Sequence, residues 1–276
     1  MQLIIGVKGE RMHKASYIMT WRQGDDNARR DNLFAVLAWL TRYPMFAPIV
    51  VEQDSAPRLS GPLPHPDVAH VFAYNAGPFN KSWGLNVGFR ASVLPWLAFA
   101  DADLILGDAL PETIDYLAQG YSAVKPYRRL IDLYEAESAR VRGGDFDWIA
   151  PRDDDAAPNR EAVGEHIVFA GGAFVITRAA FCAIGAWDER FRGWGGEDDA
   201  MSYKMERMRL PGVELDRRPA LHLFHARPLS VTMQQPHYLA NRALVDDYRQ
   251  FEDAQLARFA EVQMQIAGFR EKYRPL

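Results

Sequence analysis

The chain predicts an α/β fold with a mostly parallel sheet, on two observations. Through the first hundred residues, short apolar runs rich in β-branched residues alternate with stretches of three-four apolar spacing. The last of these runs ends in Asp101-Ala102-Asp103, so the acids would emerge at the carboxyl edge of the sheet, where open α/β sheets bind their ligands.

Residues 3–7, 17–21 and 49–52 each read as a buried strand. Between the second and third, Leu33, Val36, Leu37 and Leu40 recur at the period of an amphipathic helix over 31–43, which makes a β-α-β crossover. The pattern repeats as a strand over 68–74, a helix over 82–91 and a strand over 96–100. Beyond Leu104 the order changes. Residues 111–119 look helical, whereas 140–165 are dense in Asp, Arg, Gly and Pro without apolar period, and predict a long surface loop: either a lid over a cleft or a tolerated insertion. Residues 166–177 then read as a strand carrying Gly171-Gly172, followed by a helix over 178–184. From 239 to 269 three-four spacing returns with a slip near Gln255. This predicts one long amphipathic helix or two, packed across the domain or forming a homodimer seam.

With 276 residues, 48% of them hydrophobic, the chain can bury a full core. A single cysteine, Cys182, rules out an intramolecular disulfide framework and a cysteine-built zinc site, so a reducing, cytoplasmic setting is expected. Residues 1–8 lack the basic flank and cleavage site of a signal peptide. The longest apolar stretch, 91–100, is too short for a transmembrane span, so attachment to an inner membrane would be peripheral. A net charge of -4 gives no whole-molecule attraction to nucleic acid.

Three clusters carry chemistry. At Asp101 and Asp103, carboxylates suit a hard cation such as Mg²⁺ or Mn²⁺ that keeps positions open for a diphosphate. The same spacing recurs at Asp145 and Asp153, and only the strand context singles out the first, which could equally cap a turn. In the second cluster, residues 192–199 (RGWGGEDD), Trp194 sits among Gly193, Gly195 and Gly196, and the indole offers a flat apolar face suited to a sugar ring. Glu197, Asp198 and Asp199 follow, in the first turn of a helix. They either complement its dipole or present a general base to a sugar hydroxyl. The third cluster is His222 and His225. At i and i+3 they would share a helix face, but in a strand they would point to opposite sides, so one of them is expected to bind metal; equally, one is a buried, hydrogen-bonded histidine and the other exposed, with no metal role.

Taken together these segments resemble the metal-dependent β-1,4-galactosyltransferases and related bacterial polysaccharide-synthesis enzymes of the glycosyltransferase A fold. Phe79-Asn80-Lys81 with Asn86-Val87-Gly88-Phe89 is similar to that family's FNRAKLLNVGF, Asp101 to Leu104 to its DVDL, residues 169–175 to its FGGVSAL, and residues 191–199 to its YWGWGGEDD. The resemblance spans about 17–228. It implies one Rossmann-like catalytic domain over 1–235, with a nucleotide-sugar-binding half over 1–110, an acceptor-binding half over 166–228, and a helical extension over 236–276.

It further implies Asp103 and His225 as metal ligands, with His222 where the family has a methionine. Donor contacts would come from Arg22, Arg29, Arg30, Phe79, Lys81, Asp101, Ala102, Gly172 and Trp194. Trp194, on a mobile loop, Gly195, Gly196, Asp198 and Asp199 would meet the acceptor. Asp198 would be the catalytic base, and Glu197, with Asp199, would orient acceptor hydroxyls. The implied reaction is transfer of galactose or N-acetylgalactosamine from a UDP-sugar to a saccharide or glycolipid, inverting and dependent on Mn²⁺ or Mg²⁺. A non-catalytic saccharide-binding protein and a sugar nucleotidyltransferase are the alternatives; against the latter, no Gly-rich, Arg/Lys-bearing phosphate loop follows the first strand of this sequence. The sequence departs from the family at Arg192, which stands for an aromatic, at Lys81, which stands for an arginine, and at 140–165, which has no counterpart.

Overall fold

The computed structural model describes residues 13–151, 169–226 and 236–275. The expected strand over 3–7, most of the expected loop over 140–165 and the start of the expected strand over 166–177 lie outside them. The first three described strands, β1 (Ala15–Trp21), β2 (Phe46–Asp54) and β3 (Ala69–Tyr74), pair in parallel, and α1 (Ala28–Leu40) makes the crossover between β1 and β2. All seven residues of β1 are buried, as a strand covered on both faces requires. After β3, α2 (Lys81–Ala91) leads to β4 (Trp96–Ala100), which pairs in parallel with β1 on its other side.

Past β4 come β5 (Leu104–Ile105), α3 (Glu112–Ala118), β6 (Ala123–Lys125), β7 (Leu130–Asp132) and α4 (Glu135–Arg142). Next are β8 (Ala173–Thr177), α5 (Arg178–Ala183), α6 (Glu197–Arg207), β9 (Gly212–Glu214) and β10 (Ala220–His222). Two helices, α7 (Pro236–Gln250) and α8 (Asp253–Ile266), end the described chain. The main sheet runs β3-β2-β1-β4-β8-β6-β9 and is parallel except at β8, which opposes both neighbours. A second sheet, β5-β10-β7, was not anticipated, because its strands are two or three residues long and leave no periodicity to read.

Two expectations are corrected and an open alternative is decided. The polar stretch from 140 begins as the last turn of α4, and Phe146, Trp148 and Ala150 beyond it pack against the core, so its start is anchored. The strand expected over 166–177 starts only at Ala173, because Gly172, with φ +77°, turns the chain just before it. Of the two alternatives for the carboxyl-terminal segment, two helices form: they break after Gln250, where Glu252 and Gln255 make a capping box that starts α8.

Packing explains the placement of the helices. Phe99 of β4 meets Phe181 of α5 at 4.6 Å and Trp187 at 5.8 Å, and such pairs add roughly 0.5–1.5 kcal/mol beyond their burial. Gly185, at φ +78°, lies against the backbone of α8: a Cβ there would meet the Ala260 Cα and carbonyl oxygen at 2.4 Å. Neither backbone can yield as a side chain would. Gly185→Ala is therefore expected to cost about 3 kcal/mol of stability, from overpacking and from the positive φ, read as a lowered urea midpoint at unchanged m-value.

Candidate active site

Asn80 fixes the first part of the site. Its side chain accepts the Trp83 N–H at 2.8 Å and so caps α2, while its amide donates to the Glu189 carbonyl at 2.8 Å. Such a cap stabilises a helix by about 1 kcal/mol and here sets Lys81 as the first residue of α2. The Lys81 ammonium lies 2.8 Å from Asp101, 3.2 Å from Asp198 and 3.8 Å from Glu197. One cation thus gathers the acids after β4 to those opening α6. Burial alone would depress its pKa, but the three carboxylates outweigh it and hold Lys81 well above the usual lysine range.

The acids respond in the opposite sense. Burial first, and the neighbouring Asp198 charge second, push the Glu197 carboxyl up to about 8, with Lys81 opposing. Burial likewise raises Asp198 to about 6, Lys81 opposing and the Asp101 charge adding. At neutral pH the pair therefore holds one ionised and one protonated carboxyl, the separation that assigns base and hydrogen-bond donor in acid–base sites. Asp199 is fully buried, whereas Glu197 and Asp198 are partly exposed.

The backbone before these acids is shaped by Gly196, the residue preceding α6, whose φ of +91° suits glycine; a Cβ would meet Phe191 at 2.8 Å. Trp194 stacks on Tyr238 of α7, centroids 5.6 Å apart and planes 17° from parallel. Asn241 donates to the Arg192 and Trp194 carbonyls and accepts the Arg192 N–H, and Gly193 N–H donates to the Phe79 carbonyl at 2.7 Å. The segment after residue 235 thus builds the site's rim. Asn241 and Tyr238 escaped notice in the sequence because their partners lie more than forty residues away.

The third group sits beside the first. Asp103 precedes β5, and its carboxylate oxygens lie 3.4 Å from His222 Nε2 and 3.1 Å from His225 Nε2. The expectation that the two histidines diverge is corrected: β10 ends at His222, the chain turns at Leu223-Phe224, and both rings face Asp103 with ligand atoms within 4.8 Å of one another. That turn is clamped. Leu223 N–H donates to the Asp103 carbonyl, Phe224 N–H to Ser138 Oγ, and the Phe224 carbonyl accepts from Asn32 and Arg142. Ser138, Asn32 and Arg142 carry no motif that marks them, unlike Asp103.

Each histidine's other nitrogen faces an acceptor: His222 Nδ1 is 2.9 Å from Asp132 Oδ1, and His225 Nδ1 is 3.2 Å from the Ala226 carbonyl. A carbonyl and a carboxylate accept only, so each ring keeps a proton on Nδ1; without a cation Nε2 donates to Asp103 when the ring is protonated, and once that proton leaves, Nε2 turns a lone pair toward Asp103. Burial would raise the Asp103 carboxyl, but the histidines outweigh it and hold it well below the usual range. A carboxylate oxygen, Oδ1, is buried without a hydrogen bond. Converging acceptors of this kind need a cation between them, and two imidazoles with one carboxylate suit Mn²⁺ better than Ca²⁺.

Of the other expected donor contacts, Arg22 donates to the carbonyls of Gln53, Gly77 and Asn75 at 2.7–2.8 Å and lies 5.6 Å over the half-buried Phe79 ring, so it ties β1 to the turn before α2. Arg29 is exposed and Arg30 half-buried at the start of α1, the latter 6.0 Å over Phe34. Ala102 is half-buried between the two acids, and the Gly172 carbonyl accepts the Asp101 N–H at 2.9 Å. Arg22, Phe79, Lys81, Asp101 and Glu197–Asp198 are thereby linked through direct contacts and short chain segments to the Asp103 cluster, whereas the Arg29 carbonyl accepts from the Trp21 indole.

A parallel-rich sheet with one reversed strand, acids at the end of β4 and an acid-opened helix beyond a Gly-rich turn define the glycosyltransferase A fold. The chain aligns with the catalytic domain of Drosophila β1,4-galactosyltransferase 7 in complex with xylobiose over 87% of its own length and 82% of that chain, with a TM-score of 0.51 and 15% identity. It aligns with a mannosyltransferase from Pyrobaculum calidifontis in complex with GDP-Man and Mn²⁺ over 92% and 70%, with a TM-score of 0.53 and 16% identity. Residues 164–227 match the family described as the N-terminal domain of galactosyltransferase. Over 120 residues the chain is 25% identical to polypeptide N-acetylgalactosaminyltransferase 4 of Mus musculus; this stretch is 39% of the chain and 20% of that protein, so the chain spans about a fifth of that relative's length. No helix among the described residues is long and apolar enough to cross a membrane.

Proposed function

We propose that the protein is a metal-dependent glycosyltransferase that moves a sugar from a UDP-sugar to a saccharide hydroxyl with inversion. Galactose or N-acetylgalactosamine is the favoured sugar. The carrying observation is the meeting, at one edge of the sheet, of a cation-ready cluster of Asp103, His222 and His225 with an acid pair poised around neutral pH. A divalent cation held there supplies charge for the leaving diphosphate. Asp198 takes the proton of the attacking acceptor hydroxyl, and Glu197, protonated at neutral pH, donates to and orients it. Trp194 gives the acceptor ring an apolar face on the rim. Lys81 shares its charge between the acids and the incoming phosphates, with Arg29 and Arg30 further out along α1.

Arg22, Phe79, Ala102 and Gly172 shape the donor floor, and Gly195 and Gly196 let the acceptor approach the backbone. Asp199 supports the acid pair from behind. A polysaccharide or glycolipid acceptor at the cytoplasmic face of a membrane suits a chain of this composition, and a homodimer through α7 and α8 would cover the exposed Leu239, Val262 and Ile266. A purely binding role is disfavoured because the base, the cation cluster and the aromatic platform are all present. The test is UDP release across a panel of UDP-sugars with a saccharide acceptor, in Mn²⁺ and in EDTA. Mn²⁺-dependent release with one donor supports the reading; absence of both release and calorimetric donor binding rejects it.

The pH dependence follows from the acid pair. Because Asp198 must be ionised to accept a proton, kcat is expected to fall as pH drops through about 6, tenfold per unit below it. Because Glu197 must keep its proton to donate, kcat is expected to fall again above about 8. A bell between these limits is the predicted profile; a flat profile from pH 5 to 7 contradicts the assignment.

A further inference from the structure

We propose that Asp132, which no motif marks, is a positioning residue that makes His222 a strong metal ligand; the inference rests on the metal-dependent reading above. The geometry comes from the small sheet. Strands β7 and β10 run parallel with Asp132 opposite His222 in register, and the Leu133 N–H donates to the His222 carbonyl at 2.9 Å. The backbone therefore delivers the Asp132 carboxylate to His222 Nδ1 at 2.9 Å, with both side chains largely buried. A carboxylate can only accept, so the ring proton is held on Nδ1 and Nε2 is kept as the lone pair that faces Asp103.

The free imidazole of histidine prefers its proton on Nε2, the tautomer that cannot bind a cation through that atom. Asp132 reverses this preference. A carboxylate behind a ligating histidine also raises the basicity of the ring and locks its orientation, and removing such a partner typically costs 10–100-fold in metal affinity. At His225 the Nδ1 faces the neutral Ala226 carbonyl at 3.2 Å rather than a carboxylate, so the two rings are unequal ligands and His222 is the stronger. Charge counting agrees. Asp101 is engaged by Lys81 at 2.8 Å, leaving Asp103 as one negative charge among the ligands; Asp132 supplies the second that a divalent cation needs before any donor arrives.

The experiment is Mn²⁺ binding by calorimetry and electron paramagnetic resonance on wild type, Asp132→Asn and Asp132→Ala, with ¹⁵N NMR of the histidine rings in the metal-free protein. The Asn variant keeps an acceptor and the fold. Expected results are Mn²⁺ affinity reduced 10–100-fold in the Ala variant and by less in the Asn variant, with His222 carrying its proton on Nδ1 in wild type and Asn and shifting toward Nε2 in Ala. A purely structural Asp132 would leave the tautomer unchanged. Wild-type binding matched within twofold by the Ala variant overturns the role of Asp132 and leaves the metal reading standing. A wild type that binds no Mn²⁺ removes both.

Discussion

Asp198→Asn is expected to lower sugar transfer by about 10³-fold while leaving donor affinity within a few-fold. The amide has nearly the shape of the carboxylate, so the first turn of α6 should persist, but it cannot accept the acceptor's proton. The contact with Lys81 explains why the loss falls on kcat. In the protein as it stands, Lys81 lies 3.2 Å from both oxygens of Asp198 and 2.8 Å from Asp101. Removing the Asp198 charge leaves the ammonium held by Asp101 at 2.8 Å, so the donor side keeps its charge. Single-turnover kinetics with a UDP-sugar and a saccharide acceptor separate the two effects. A variant that retains more than a tenth of wild-type kcat would move the base elsewhere, and a variant whose loss lies wholly in acceptor KM would make Asp198 a binding group.

Much of this arrangement was legible in the sequence, for physical reasons that also mark where legibility ends. The strands over 17–21, 49–52 and 96–100 announced themselves because a strand buried on both faces is apolar throughout, and β1 and β4 are buried almost end to end. Helix α1 was legible because one face is apolar, and the acids opening α6 because glycines precede them. The Asp103 cluster was half legible. Asp103 follows a readable strand, but the convergence of His222 and His225 depends on a turn held by Ser138, Asn32 and Arg142, which lie 82–192 residues away from it. Alternation along a strand applies only while the strand continues, and β10 stops at His222. Asp132 stayed hidden for the same reason: its strand is three residues long, and its meaning comes from register with β10 rather than from its own neighbours. Lys81 was recognised as a site residue, yet its bond to Asp198 joins positions 117 residues apart, and no local pattern encodes that.

Asp103→Ala should have the largest effect on metal binding of any single change. It removes the carboxylate that both histidines face and leaves His222 and His225 without the one anionic ligand among the three. A divalent cation held by two neutral imidazoles alone is bound far more weakly, because carboxylate oxygen is the preferred partner of hard cations. Wild type is expected to gain thermal stability with Mn²⁺: at 100 times the dissociation constant, about 2.7 kcal/mol follows from mass action. The Ala variant is expected to show no such gain at the same concentration, and its transfer activity should fall to background. Its stability without metal is expected to fall as well, because the histidines hold the Asp103 carboxyl well below its usual range and the folded state therefore favours the ionised group. The Mn²⁺-induced gain is the measurement that separates the two roles: a residue placed for a cation gives a gain in wild type that the Ala variant loses, whereas a carboxylate kept only for its pairing with His222 and His225 gives no Mn²⁺ gain in either protein.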